Sequence, residues 1–192
     1  MTDYLKLAEE MESPRRFSHS VNVAKTAVEL AEKYGADVEK AYLCGILHDI
    51  MKDRSRNEQL QVIHSADIVM SHVEIANPKL WHSIAGYAYL KTKLGITDLD
   101  TLNAVRYHTT ARADMSVLEK VIYIADYISE ERDYNGVDEM RKAAQISLEQ
   151  AMFIALQFTI SDLSNKKMVI SPYSLDAYNQ LNVDYYMKGK II

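Results

Sequence analysis

A histidine and an aspartate stand side by side inside an apolar stretch of the sequence, residues 45–53, as His48 and Asp49. Successive helical residues point about 100° apart, so one apolar face cannot bury both, and both must face something polar inside the fold. A buried carboxylate without a partner costs several kcal/mol or changes its pKa. Imidazole and carboxylate both bind divalent first-row metals, so the pair indicates a metal site. An isolated pair would more often be a core histidine beside a surface aspartate.

Four further residues of the same types are spread along the chain: His19, His82, His108 and Asp126. Together the six offer nitrogen and oxygen donors without thiolate, which suits iron, manganese, zinc or nickel. Storage and oxygen-activating helical proteins tend instead to use glutamate-rich sets such as Glu-x-x-His, and no such pair occurs among these six residues. The set favours a catalytic metal centre, with a structural or storage site as the alternative.

The order of these residues resembles the HD-domain superfamily of metal-dependent phosphohydrolases. Its minimal pattern, H…HD…D, corresponds to His19, His48-Asp49 and Asp126, and the two intervening histidines resemble the added ligands of its two-metal branch. The sequences of residues 106–110, 115–120 and 125–133 are similar to those of the YqeK-like group, the bacterial symmetrical diadenosine tetraphosphate hydrolases. The resemblance covers nearly the whole chain, from about residue 19 to the C-terminal helix.

The resemblance implies which residue holds which ion. The first of two divalent or transition-metal ions, which we expect to be iron, would be held by His19, His48, Asp49 and Asp126. The second would be held by His82 and His108, with Asp49 bridging the two ions and taking part in catalysis. Two metals held close together suit hydrolysis at phosphorus, and they need no nucleophilic side chain.

Cations near these ligands are candidate contacts for phosphate. Lys52 is a predicted catalytic residue: it follows His48 by four residues, so on a continuing helix it meets a substrate phosphate or a metal-bound water, or else extends into solvent. Arg132 is the foremost substrate-binding candidate, because a guanidinium can bind phosphate in a bidentate manner. Lys120 and Arg112 are predicted substrate contacts with a solvent-exposed face as the alternative.

Two further residues are predicted to assist the site. Thr109, next to His108 in the family-like segment, is a predicted substrate contact. Asp53 is predicted either to orient a ligand histidine or simply to end the helix. Two segments depart from the sequence usual in the group. Residues 111–114 lack the glycine that is usual there, and residues 134–136 are Tyr-Asn-Gly where Phe-Pro-Gly is more usual. Both changes bear on loops over the substrate and leave the proposed ligands intact.

Composition limits the class of protein and its partners. The chain of 192 residues carries a net charge of −5, so we expect no long nucleic acid as a partner, while a small phosphorylated nucleotide needs only local cations. A single cysteine, Cys44, excludes an internal disulfide and fits the reducing cytoplasm, where it is expected to be an inert core residue. We expect no secretory signal and no membrane association, and a homodimer is left open.

Six glycines, three prolines and weak strand signals predict an all-α fold. We expect one HD domain over residues 1–192, a helical bundle with a central metal site. Its metal-binding core spans about 14–130 and its C-terminal helices about 137–187. Capping signals predict helices at 3–11, 14–35, 37–52, 57–62, 78–95, 100–108, 116–129, 137–160 (as one or two helices) and 172–187.

The expected function is hydrolysis of dinucleoside polyphosphates, with diadenosine tetraphosphate giving two ADP. One alternative is another HD-domain enzyme, a nucleoside monophosphatase or a nucleotide phosphodiesterase. The alternative from a different class is a nucleotide-sensing module that binds without turnover, for which two metals would be unnecessary.

Overall fold

The computed structural model describes residues 3–187, with the backbone alone described at Tyr186, and it confirms the all-α prediction because no strand occurs in that range. None of its helices combines the length and the apolar character that a membrane span requires. A short 3-10 helix spans Pro78–Leu80. The α-helices are α1 (Tyr4–Met11), α2 (Pro14–Tyr34), α3 (Val38–Leu47), α4 (Arg56–Ser65), α5 (His72–Ala76), α6 (Trp81–Thr92), α7 (Leu99–Tyr107), α8 (Val117–Ile128), α9 (Val137–Ala144), α10 (Leu148–Asn165) and α11 (Pro172–Met187).

Several helix limits follow the local capping signals as predicted. α2 begins at Pro14, directly after an extended Ser13, and ends before Gly35, whose φ of 76° is left-handed. α8 begins after Ser116, whose hydroxyl accepts from the backbone N–H three residues further on. Proline at the first helical position also marks the start of α11 at Pro172.

The predicted end of α3 is wrong. The helix ends at Leu47 rather than near Lys52, and residues 48–53 form turns. The reason is local: His48 Nδ1 lies 2.8 Å from the carbonyl oxygen of Gly45. In a continuing helix the Asp49 N–H would donate to that carbonyl. The histidine ring takes its place and leaves the next residues free to turn.

Two predicted helix starts are also wrong. α4 begins after Ser55 rather than Asn57, because Ser55 and Glu58 form a complete capping box. α7 begins after Asp98 rather than Asp100, because the Asp98 carboxylate accepts the N–H three residues on. The stretch predicted as one or two helices at 137–160 is two, α9 and α10, and α10 continues to residue 165. The five-residue α5 was not predicted.

α3 lies between two buried apolar clusters. It contributes Ala41 and Cys44 to the cluster formed with α2, α8 and α10, and Ile46 and Leu47 to the cluster formed with α4, α6 and α7. Burial raises the pKa of the Cys44 thiol, in keeping with its role as a core residue. His48 and Asp49 come directly after α3, so the chain places them where the two clusters meet.

A glycine allows α3 to approach α2 closely. A Cβ at Gly45 would lie 2.4 Å from the Cα of Ala24 and 2.8 Å from its backbone nitrogen. These are backbone atoms, so a side chain at position 45 would force the helices apart. The close contact of α2 with α3 brings His19 on α2 within reach of His48.

Candidate metal centre

Two of the candidate ligands stand at the ends of helices in the same way. His48 follows α3 and His108 follows α7, and each places Nδ1 2.8 Å from the carbonyl oxygen three residues earlier. A carbonyl only accepts, so Nδ1 carries the hydrogen in both rings and Nε2 presents a lone pair. The two helix ends thus fix both the orientation and the tautomer of buried imidazoles, which metal ligation requires.

α2 and α8 contribute the next pair. His19, in the second turn of α2, places Nε2 3.1 Å from Oδ1 of Asp126 on α8. Its Nδ1 hydrogen-bonds to Glu131, whose carboxylate also accepts from Asn22 and from the hydroxyl of Ser129. Glu131 therefore orients the His19 ring, as an outer carboxylate orients a ligand histidine in metal sites.

The carboxylate of Asp49 lies between two pairs of imidazoles. Oδ1 is 3.1 Å from Nε2 of His82, which lies on α6, and 3.4 Å from Nε2 of His108. Oδ2 is 3.6 Å from Nε2 of His48 and 4.0 Å from Nε2 of His19. Each oxygen of this one carboxylate therefore faces a different histidine pair.

All six predicted ligands converge in the structure. The donor atoms of His19, His48 and Asp126 lie within 4.8 Å of one another, as do those of His48, Asp49 and His108. Nε2 atoms approach to 3.3 Å in two places, between His19 and His48 and between His82 and His108. Five of the six residues are buried, and the Asp126 side chain is 17% exposed.

The donor set fits a divalent cation. His48 and His108 each donate through Nδ1, so their Nε2 lone pairs face the Asp49 carboxylate, 3.6 Å from Oδ2 and 3.4 Å from Oδ1 respectively. Asp49 Oδ1 is buried and accepts no hydrogen bond from the part of the chain that the structure describes. Lone pairs and a buried carboxylate turned toward one point are costly without a positive charge between them. A divalent metal ion supplies that charge.

Burial sets the protonation of the cluster. It lowers the pKa of His48 to about 3 and that of His82 to about 4, so both rings are neutral at physiological pH, as metal ligation requires. Burial alone would raise the pKa of Asp126, but the hydrogen bond with His19 and the charge of Arg132 hold it well below the ordinary range. Burial would also raise the pKa of Asp49, but the charge of Lys52 helps to hold it well below the ordinary value.

Two of the predicted cations reach the cluster. Lys52 Nζ lies 3.0 Å from His82 Nε2 and 3.7 Å from Asp49 Oδ1, although it arrives there on a turn rather than on a helix. Arg132 donates Nε to the Asp126 carbonyl at 2.7 Å, and its Nη2 pairs with the Asp126 carboxylate. Thr109 lies beside the cluster, with Oγ1 3.2 Å from the hydroxyl of Ser83 on α6.

The other predicted contacts lie elsewhere. Lys120 pairs with Glu149 at 2.7 Å and Arg112 with the buried Glu119 at 2.7 Å. Both cations line a separate cavity formed by α8, α10 and α11, so the structure does not bring them to the six ligands. Asp53 accepts the N–H of Ser13 at 2.8 Å, which ties the 48–53 turns to the start of α2.

Sequence reasoning missed two residues that touch the cluster. Arg16 donates Nη1 to Asp49 Oδ2 at 2.7 Å, and Glu131 orients His19. Arg16 precedes His19 by three residues on α2, so helical spacing could have placed it on the same face. Glu131 lies beyond the end of α8, and no helical period relates it to His19.

Buried Glu12, just after α1, gives the apo protein a pH-dependent stability. Burial raises its pKa to about 7, against the hydrogen bond from Ser20. The folded state therefore holds this proton more tightly than the unfolded chain, and the stabilisation is lost as pH rises through 7. The difference from 4.5 corresponds to about 3 kcal/mol at most. We expect Glu12→Gln to be more stable than wild type at pH 8, with the gain shrinking toward pH 5.

Chemical denaturation with chelator present, at several pH values, measures this effect. Glu10→Gln alters an exposed carboxylate on α1 and serves as the control. A gain that is equal at pH 5 and pH 8 would contradict the assignment.

Comparisons with known proteins agree with the geometry of the candidate metal centre. The family model described as HD domain matches residues 16–131. The chain is 42% identical to the symmetrical bis(5'-nucleosyl)-tetraphosphatase of Bacillus subtilis, over 86% of this chain and 89% of that protein. It is 33% identical to the protein of the same name from Staphylococcus aureus, over 92% of each chain.

A solved structure has the same fold. It is that of a protein from Clostridium acetobutylicum described as a predicted HD superfamily hydrolase involved in NAD metabolism. The two superpose with a TM-score of 0.91 at 36% sequence identity, covering 96% of this chain and 99% of the other. The chain therefore belongs to the HD-domain family and, within it, to the group that includes the symmetrical bis(5'-nucleosyl)-tetraphosphatases of Bacillus subtilis and Staphylococcus aureus.

Proposed function

We propose that the chain hydrolyses dinucleoside polyphosphates, converting diadenosine tetraphosphate to two ADP, at a centre of two divalent metal ions. The position of Asp49 carries this proposal, because its two carboxylate oxygens face separate histidine pairs. A carboxylate so placed can bridge two ions, whereas a one-ion site needs neither His82 nor His108. The activity in the names of the relatives from Bacillus subtilis and Staphylococcus aureus supports the substrate class.

The ligands divide into two sets in this proposal. His19, His48 and Asp126 would hold one ion, and His82 and His108 the other, with Asp49 shared. We take iron as the metal, with manganese, zinc and nickel as alternatives that the same donors accept. Two divalent ions close together lower the pKa of a shared water and stabilise charge on the attacking and leaving oxygens of phosphorus.

The chain's own residues align the substrate and compensate its charge. Lys52 Nζ lies at the edge of the cluster, 3.7 Å from Asp49 Oδ1, where an ammonium can donate to a phosphoryl oxygen. Arg16 and Arg132 each contact one carboxylate of the cluster. Once those carboxylates bind cations, both guanidinium groups can turn to the polyphosphate, and they stand at the same cavity beside His19. This cavity of about 630 Å³ is large enough for part of a dinucleotide.

The product pattern tests the proposed function. In-line attack at one phosphorus fixes which oxygen leaves, so a correctly seated substrate is cut at the central bridging oxygen. We expect diadenosine tetraphosphate to give ADP as its sole product. In isotopically labelled water the heavy oxygen should enter ADP, because the attack is on phosphorus. Chromatography with mass detection measures both results.

Controls separate this function from its rivals. Chelation and His48→Ala should each abolish the reaction. AMP together with ATP as products would show asymmetrical cleavage, and turnover of nucleoside monophosphates alone would indicate another HD-domain phosphohydrolase. Binding of nucleotides without any turnover in a panel of metals would indicate a sensing module.

A further inference from the structure

An aromatic cavity opens beside the candidate metal centre. It has a volume of about 290 Å³, and two of the candidate ligands, His108 and Asp126, line it. Tyr134 and Phe158 line the same cavity. A ligand lying in this cavity would therefore reach from aromatic rings to the metal donors.

The rings of Tyr134 and Phe158 lie nearly parallel to each other. The ring centroids of Tyr134 and Phe158 are 5.8 Å apart, with an angle of 29° between the ring planes. The Tyr134 hydroxyl donates to the backbone carbonyl of Tyr127 at 2.9 Å, which fixes the tyrosine ring. Tyr127 is in turn tied to α10 by a 2.7 Å hydrogen bond between its hydroxyl and that of Thr159. The aromatic surface is therefore held in place before any ligand arrives, which lowers the entropic cost of binding.

Phe158 is unusual in its surroundings. It is 47% exposed on α10, while its neighbours on that helix include fully buried Ala155 and Leu156. A single exposed phenylalanine needs no explanation on an open surface, but this one lines a cavity that reaches the ligand cluster. α10 also lies outside residues 16–131, the part that matches the HD-domain model. It can therefore add selectivity to a metal centre that the family shares.

The neighbouring cavity has the opposite character. The 630 Å³ cavity beside His19 is polar. Its guanidinium groups are suited to phosphates, and its charged lining residues are Arg15, Arg16, Arg132, Asp53, Glu131 and Asp133. Arg132 and Tyr134 line both cavities, so the two meet at these residues. The smaller cavity is below the volume usual for an entire drug-sized ligand. A single nucleobase is the part of a nucleotide that matches its size and its aromatic wall.

We propose that Phe158 and Tyr134 form a stacking subsite for one purine base of the dinucleoside polyphosphate, with the phosphates passing Arg132 toward the metals. This inference rests on the proposed function and adds the residues that select the base. Stacking of a base on an aromatic side chain changes affinity by about ten- to a hundredfold when the ring is removed.

The decisive measurement compares two ligands that differ only in the nucleoside. Titration calorimetry on the metal-loaded protein gives the affinities for ADP and for inorganic diphosphate. We expect Phe158→Ala to weaken the binding of ADP about tenfold or more and to leave the affinity for diphosphate unchanged. Phe158→Trp should retain ADP binding, because it keeps a ring at this position. Circular dichroism checks that each variant is folded. We expect the variants to fold, because the Phe158 side chain is exposed.

A matched control lies one and a half turns away on the same helix. Phe153 stacks on Tyr178 at 5.5 Å and borders a different cavity, so Phe153→Ala should not alter the ratio of the two affinities. An unchanged ADP affinity in Phe158→Ala would overturn the subsite. So would equal weakening of ADP and diphosphate, or an equal effect of Phe153→Ala.

Kinetics separates this inference from the proposed function. We expect Phe158→Ala to raise KM for diadenosine tetraphosphate about tenfold while kcat changes little, with ADP still the sole product. Wild-type turnover with an unaltered KM in Phe158→Ala would reject the subsite and keep the function. Absence of turnover in wild type would reject the function, and the ratio of ADP to diphosphate affinity would still decide the subsite.

Discussion

Replacing Asp49 with alanine is expected to remove both metal ions from the centre and to reduce hydrolysis of diadenosine tetraphosphate by more than about a hundredfold. Loss of a group that merely orients a ligand costs about 10- to 100-fold, and a shared ligand should cost more. Asp49 is the residue to test because Oδ1 faces His82 and His108 while Oδ2 faces His48 and His19. Elemental analysis of the purified protein measures the metal directly, and circular dichroism shows whether the variant is folded.

Single histidine variants make the test specific. His82→Ala should lose mainly one ion and His19→Ala mainly the other, because these rings lie on opposite sides of the Asp49 carboxylate. His64→Ala alters an exposed histidine of α4 and should leave both ions in place. Undiminished metal in Asp49→Ala would contradict the bridging assignment, whatever the activity.

A helix limit is predictable from the sequence where the residues that set it are neighbours in the chain. Ser13-Pro14 begins α2 as expected, since a cap and a proline act within a few residues of each other. α3 ends early because the ring of His48 competes for a backbone carbonyl, which helix propensity does not describe. Asp98 rather than Asp100 caps α7, and the Asp100 carboxylate instead accepts a hydrogen bond from Ser116, 16 residues away in sequence.

One helix that was not predicted combines a local cap with distant partners, because Ser71 and Glu74 form a complete capping box at the start of α5. The five-residue α5 is too brief for a periodic pattern. Its carbonyl at Glu74 accepts from the Trp81 indole at 2.7 Å, and the Glu74 carboxylate pairs with Arg106 on α7. These contacts join three segments of the chain, and they add to the capping box, which is a local signal that could have predicted α5.

The candidate site also contains features that the sequence predicts and features that it does not. The six candidate ligands were predictable by type and order, and they converge, yet spacing along the chain misplaced some of the cations near them. Lys120 lies six residues before Asp126 on α8, about 240° around the helix, and it points away to Glu149. Arg132 lies six residues after Asp126 but beyond the end of α8, and there the chain turns back to place its guanidinium on Asp126. Equal separations gave opposite results because one interval is helical and the other is not.

Mutation of Arg132 is informative because the chain beyond α8 brings its guanidinium to the candidate ligand Asp126. We expect Arg132→Ala to reduce kcat/KM for diadenosine tetraphosphate about ten- to a hundredfold, since one charge-assisted hydrogen bond contributes roughly 1.5–3 kcal/mol. The protein should still bind two ions when metal is in excess, because the ligands themselves are unchanged. Arg132→Lys should recover part of the loss, as a point charge cannot reproduce a guanidinium fork. Arg56→Ala, at an exposed position on α4, changes the net charge equally and serves as the control.

Two results would assign Arg132 differently. In the structure its guanidinium contacts both the carbonyl and the carboxylate of Asp126, so it could act by holding that ligand. In that case Arg132→Ala would lose metal, and activity would return when metal is added in excess. A contact with the polyphosphate predicts instead that activity stays low at full metal occupancy and that KM for the substrate rises. Normal hydrolysis by Arg132→Ala would exclude both roles and leave its pairing with Asp126 as a contact of the fold alone.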